Sequence, residues 1–374
     1  MAIERWNDAY LESMRSVGDP PADEVITAVI QAHGVNQLNQ TMKNLVQNDE
    51  LIPADLPICV QNYLNEEAIL PSWVDFERIK RGEQFFLKHW SNAITILFCA
   101  SLPNAYSARK GAEVLYLTQR LTGHVHRRIF ETAQFVLDVM AEGGIGQNGR
   151  GVRTAQKVRL IHAATRYYIL NRPEWRNKWD NRWGVPINQE DLAGTLMTFS
   201  IQILLGLEKF GIEMSAEEKE DYLYAWRAIG FVLGVDPELI PQDVAEATWL
   251  AETIFQRQEA PSEAGQALTA ALLEFMQNQL PFHFANGLPA TIMRHCIEPE
   301  TADALNVPQS DWTTLLLNAE EAFLSIVGHT LSHHQKIAQL FEAFSQALIQ
   351  SLIDLERGGS RTNFTIPSGL RERI

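Results

Sequence analysis

Apolar positions recur at helical spacing through most of the chain, and no run of alternating apolar and polar residues bounded by hairpin turns interrupts them. The pattern predicts an all-α protein, with helices over about 4–16, 22–33, 36–48, 75–99, 107–121, 125–142, 152–171, 189–211, 216–234, 244–280 and 311–355. Local chemistry supports several ends. Ser215-x-x-Glu218 reads as a capping box, Asn188 as the cap of the helix opening Gln-Glu-Asp-Leu, and Gly211 as a C-terminal stop. The glycine-rich stretch Gly143–Gly151 follows a helix rather than a strand and lacks Gly-Lys-Ser/Thr, so it reads as a flexible connection and not a phosphate loop.

No repeat of solenoid length and no low-complexity linker divides the chain. The simplest partition is one large multi-helix bundle: an N-terminal helical extension over 1–70, a main helical domain over 71–300, C-terminal helices over 301–356 packed on the same body, and a polar tail over 357–374. The chain has 374 residues, 46% of them hydrophobic and 21% charged, which suits a folded globular body. Its net charge of −15 would repel a polyphosphate backbone and argues against nucleic acid as a partner. No apolar run reaches bilayer-spanning length and the first residues carry no signal-peptide pattern, so a cytoplasmic protein without a transmembrane segment is expected. Cys59, Cys99 and Cys296 form no CxxC pair and read as free thiols, which leaves metal chemistry to histidine or carboxylate.

The densest candidate chemistry lies in Lys157-Val-Arg-Leu-Ile-His162-Ala-Ala-Thr-Arg166. At 100° per residue, Arg159, His162 and Arg166 share one helix face. An imidazole flanked by guanidinium groups can hold a haem by its iron and its propionates; the same residues also read as a bundle histidine beside two salt-bridge partners. Upstream, His124, Arg128 and Glu131 share a face of a second helix, with Thr132 beside them. Two such helices joined by a short loop are expected to pack as antiparallel neighbours and could face one another across a flat cofactor. Only one of His124 and His126 can take part, because they point to different sides.

Two further groups carry less. His329-x-x-x-His333 has ligand spacing without the Glu of the zinc-protease pattern, and Trp175, Trp179 and Trp183 recur every four residues as an aromatic strip over the core. No Gly-x-Ser-x-Gly elbow points to a hydrolase.

Over roughly 73–300 the chain resembles the helical haem-binding domain of rubber oxygenase (latex-clearing protein) and of the mycophenolate-pathway oxygenase MpaB. The residues that carry the likeness are Asp75-Phe-Glu-Arg-Ile-Lys-Arg-Gly82, Ser101-Leu-Pro-Asn-Ala-Tyr106, Arg128-x-x-x-Thr132, Arg159-x-x-His162-x-x-x-Arg166, Gly184 to Thr195, Tyr222-x-x-x-Trp226-Arg-x-x-Gly230-x-x-x-Gly234 and Pro241-x-Asp243. The resemblance implies a bundle enclosing a haem pocket, with haem b as cofactor and His162 as the proximal metal ligand. It places Arg159 and Arg166 as haem-supporting residues, Arg128 and Thr132 on the distal helix, and the catalytic carboxylate at Glu113. Where rubber oxygenase carries a distal lysine this chain has Glu131, so the sixth iron position is open, water-bound, or filled by Glu131 or His124.

The implied activity is oxidative attack by dioxygen or a peroxide on a carbon–carbon double bond of a small, apolar substrate, with isoprenoids as a candidate class. The alternative is a haem-binding carrier, sensor or electron-transfer protein without turnover.

Overall fold

The computed structural model describes the backbone of residues 3–47, 56–66, 70–118, 120–146, 149–280, 287–309 and 333–357, and the side chains of these apart from 3–4, 43, 46–47, 120–127, 333–334, 336 and 354–357. Among these residues every regular element is helical, apart from an isolated bridge between Ala108 and Glu259. In chain order the α-helices are α1 (Asp8–Met14), α2 (Pro20–Gln47), α3 (Ile58–Glu66), α4 (Phe76–Ile96), α5 (Leu102–Ser107), α6 (Arg109–Leu117), α7 (Arg120–Val139) and α8 (Arg150–Asn171). There follow α9 (Pro173–Arg176), α10 (Gln189–Phe199), α11 (Ile201–Lys209), α12 (Ala216–Val232), α13 (Val244–Gln258), α14 (Glu263–Gln279), α15 (Leu288–Cys296), α16 (Pro299–Ala304) and α17 (His333–Arg357). The predicted span 311–332, His329 and the polar tail from 358 lie outside the described residues, as do the side chains of His124, His126 and His333. None of the described helices is long and apolar enough to cross a membrane.

The chain divides into two units, one of residues 1–87, 135–197 and 217–254, the other of 88–134, 198–216 and 255–374. In the first, α8 lies against α2 and α3. Leu160, Ala163 and Ala164 are buried among Ala22, Ile26, Val29, Val60 and Leu64, and the two alanines let the backbones approach. Gly34, at φ +77° and ψ 172°, breaks α2 where the sequence pattern predicts two helices. The N-terminal stretch is held along its length: Trp6 stacks on Trp249 and donates to the Glu238 carbonyl (2.8 Å), while the buried Arg15 pairs with Glu190 (3.0 Å) and Asp191 (2.9 Å). Arg78 and Arg81 of α4 both reach Asp221 of α12, at 2.7 and 2.5 Å, and Gly82 sits where a Cβ would strike the Asp221 carbonyl.

The Gly143–Gly151 stretch, read from the sequence as a connection, is tightly turned in its described part. Its turn N–H groups are satisfied by Ala141, Gly143 and Gly146 carbonyls, and the Gly143 N–H donates to the buried Glu83 Oε2 (3.0 Å). Glycine is required because a Cβ at Gly149 or Gly144 would meet backbone oxygens, and one at Gly151 would meet Val139 of α7. Thr154 of α8 donates to Asp138 of α7 (2.8 Å), so the two helices are neighbours at this loop.

In the second unit α14 packs on α5, α6, α15 and α17, and Phe98, Phe130 and Phe275 meet edge to face. A π-helical turn, Leu97–Ser101, follows α4 and is buried throughout. All three cysteines are free, with Cys99 Sγ 3.7 Å from Met276 Sδ.

Two long predicted helices are each divided. The span 189–211 breaks at Ser200 (φ −99°, ψ −87°), and 244–280 breaks where Pro261 ends regular hydrogen bonding and Ser262 caps α14 through the Gly265 N–H. The Asn188 cap is present, its Oδ1 accepting from the Asp191 N–H at 3.0 Å. So is the stop at Gly211, whose N–H and that of Ile212 return to Glu208 and Leu207.

Candidate functional site

His162 lies at the middle of α8 in the first unit, half-buried, with Nδ1 inaccessible to solvent. Its flanking arginines are buried and turn to carboxylates at the start of α2. Arg159 grips Asp19 in a two-pronged pair, Nε to Oδ2 at 2.5 Å and Nη2 to Oδ1 at 2.8 Å. Arg166 Nε reaches Asp23 Oδ1 at 2.9 Å, and its Nη1 donates to the Ile187 carbonyl at 2.7 Å. Ile187 is left-handed at φ +54°, an uncommon conformation for a β-branched residue that aims this carbonyl. Planar guanidinium–carboxylate pairs are strong and directional, and burial removes the water that would compete. Of the two sequence readings, the contacts display the salt-bridge one; the anion each guanidinium meets belongs to the protein.

Around these pairs the backbone comes very close. Gly234 ends the α12 segment in a Schellman arrangement: Gly234 N–H bonds to the Phe231 carbonyl and Val235 N–H to that of Gly230, both at 3.0 Å. It has φ +79°, and a Cβ there would lie 2.7 Å from Asp19 Oδ2 and closer still to Arg159 Nε. Gly18 is similar, with a Cβ position 2.9 Å from Asp23 Oδ2 and 3.1 Å from Arg166 Nε. Gln189 clips the segments together, its amide nitrogen donating to the carbonyls of Gly18 (2.8 Å) and Gly234 (2.9 Å) while its oxygen accepts from the Asp236 N–H (2.8 Å).

The second group of candidates lies in the second unit. Arg128 and Glu131 of α7 form a loose pair at 3.7 Å, both partly exposed, and Thr132 Oγ1 donates to the Arg128 carbonyl at 2.9 Å. Tyr106 is buried nearby; desolvation pushes its phenol up, and the Arg128 charge offsets part of the rise. Glu113 of α6 is half-buried, its carboxyl raised by desolvation, lowered by Arg109 and raised again by Glu263. Glu263 in turn accepts from the Tyr116 hydroxyl at 3.1 Å.

Residues 89–326 match the family described as ER-bound oxygenase mpaB/B'/Rubber oxygenase, catalytic domain. The chain belongs to this oxygenase family. Rubber oxygenase from Streptomyces sp. (strain K30) is 26% identical over 297 residues, which cover 78% of this chain and 71% of that one. The structure of latex clearing protein LCP in the closed state superposes with a TM-score of 0.74 over 95% of both chains at 22% identity, a likeness of fold.

In this member of the rubber oxygenase family the α8 arginines are joined to Asp19 and Asp23, with Gln189 and Gly18 packed around the pairs, and none of these four stood among the site residues expected from the sequence. The available signal was Gly-Asp-Pro-Pro-Ala-Asp at 18–23: two carboxylates four apart at a proline-initiated helix start, matching two arginines seven apart on α8. Tyr106, part of the Ser101–Tyr106 motif, is buried where the Arg128 charge acts on its phenol.

Proposed function

We propose that this oxygenase family member uses haem b and oxidises a small apolar substrate, of which isoprenoids are the candidate class, at a carbon–carbon double bond. The observation that carries the cofactor is the donor set. Among the described residues no cluster of three or more His, Cys, Asp or Glu side chains is arranged to hold a metal ion. A bare catalytic zinc ion takes about three protein ligands beside its water, whereas a porphyrin supplies four nitrogens and asks the protein for one or two. The half-buried imidazole of His162, on a helix held by an ion pair on either side of it, suits that demand.

Bound haem would supply the iron chemistry that activates dioxygen or a peroxide. His162 would hold the metal, and Arg159 and Arg166 would support the cofactor by fixing α8 through Asp19 and Asp23. Glu113, its carboxyl raised by desolvation, is suited to hold or give up a proton at its carboxyl oxygen. Arg128 supplies a fixed cation, and Thr132 a hydroxyl tied to the Arg128 carbonyl. Glu131 stands within reach of Arg128, which favours a role as that arginine's partner over iron ligation. His124 shares the helix and is a second candidate cofactor contact.

The test is spectroscopic first. Haem-supplemented protein is expected to show a Soret band that His162→Ala abolishes, and to consume oxygen with isoprenoid oligomers to give carbonyl products. A variant that keeps its haem refutes His162 as ligand. A reduced spectrum insensitive to carbon monoxide, with no product, would favour the carrier or electron-transfer reading.

A further inference from the structure

We propose that residues 18–23 are a positioning element for His162, setting the rotation and height of α8 through the Asp19–Arg159 and Asp23–Arg166 pairs. The inference rests on the haem reading for its purpose, and on the ion-pair geometry for its substance. It concerns residues outside the matched catalytic region, which begins at residue 89.

A single ion pair leaves a helix free to pivot about the contact. Two pairs on one face, seven residues apart, span about 10 Å of helix axis and remove both rotation and sliding. His162 stands between them, three residues after one arginine and four before the other, so its direction is slaved to both. A slip of one residue would turn the imidazole by about 100°.

Three observations show that this setting has little slack. The side chains of Arg159, Asp19 and Arg166 are at least nine-tenths buried, and Asp23 is 36% exposed. The glycines at 18 and 234 leave no room for even a methyl group beside the pairs. Gln189 spends both ends of its amide on the backbones that carry them. Ala22 and Ile26 continue the contact as an apolar seam against α8, so the polar clamp and the core impose the same register.

The test uses the full chain with Asp19→Asn, Asp23→Asn and the double variant, compared with Asp221→Asn. Asp221 is a buried carboxylate with two arginine partners, neither of them on α8. Two readouts are taken: amide hydrogen exchange of residues 157–166 in haem-free protein, and the rate of haem transfer from loaded protein to an apo-globin trap. The clamp variants are expected to exchange faster across 157–166 and to release haem about tenfold faster or more, as loss of an outer-shell partner does elsewhere; Asp221→Asn should do neither. Should the double variant fail to fold, Asp23→Asn, the half-exposed member, carries the comparison.

Unchanged exchange in the clamp variants, or equal effects from Asp221→Asn, overturns the proposal. If wild-type protein binds no haem, the cofactor reading falls while the exchange experiment still decides the clamp.

Discussion

Replacing Gly234 by alanine probes a point of close approach in the first unit. The residue has φ +79°, where a Cβ costs about 1–2 kcal/mol by conformation alone. The added methyl would also lie against Arg159 Nε and 2.7 Å from Asp19 Oδ2. Neither group can move aside and keep the pair, because Arg159 is held at two nitrogens and both residues are buried. Separating a buried ion pair costs about 3–5 kcal/mol, so the substitution should destabilise by about 4–7 kcal/mol in all.

Gly143→Ala is the matched control. It is in the same unit, at φ +71°, with nothing within 4 Å of its Cβ position, and should lose only the conformational share. Urea unfolding followed by circular dichroism gives both values under identical conditions. If the two variants differ by less than about 0.5 kcal/mol, within the usual noise of additivity, the Arg159–Asp19 pair is not the obstacle described here.

Other expectations follow from burial. Glu83 is raised by desolvation, opposed by backbone N–H groups of the glycine loop. Between the ordinary glutamate value and this raised one the native state keeps a proton that the unfolded chain has lost, so stability falls as pH climbs through that window and stays lower above it. Glu83→Gln should gain stability relative to wild type across the same window and then level off; a pH-independent difference refutes the assignment. Burial also pushes the Cys296 thiol up to about 12 and Cys99 well above its ordinary value, so a thiol reagent on native protein should label Cys59 alone, as peptide mapping would show. Gly82→Ala should push α4 from the Asp221 backbone and cost about 1–3 kcal/mol, the usual range for overpacking, read as a shift in the urea midpoint.

The helical class, the α8 segment, the Asn188 cap and the Gly211 stop were legible because each depends on residues within a turn or two of one another. The divisions at Ser200 and at Pro261–Ser262 were hidden for a different reason: apolar periodicity carried across both and outweighed the local breakers. The turned form of Gly143–Gly151 was hidden because a side chain that holds it, Glu83, is 60 residues away. Arg159 shows the same limit in the candidate site. Its face and its neighbour His162 follow from helical spacing, yet its partner lies 140 residues earlier, and no local pattern can choose between that carboxylate and one on a ligand.

The π-turn at Leu97–Ser101 has a bearing on ancestry. Its closing bond runs from the Leu102 N–H to the Leu97 carbonyl, five residues back, so the turn holds one residue more than an α-turn would. Two relatives, one with the extra residue and one without, would superpose turn for turn on either side while their numbering drifted by one. Homology across this point is therefore better judged from place along α6 than from residue count, and Glu113 is the position whose equivalents depend on making that distinction.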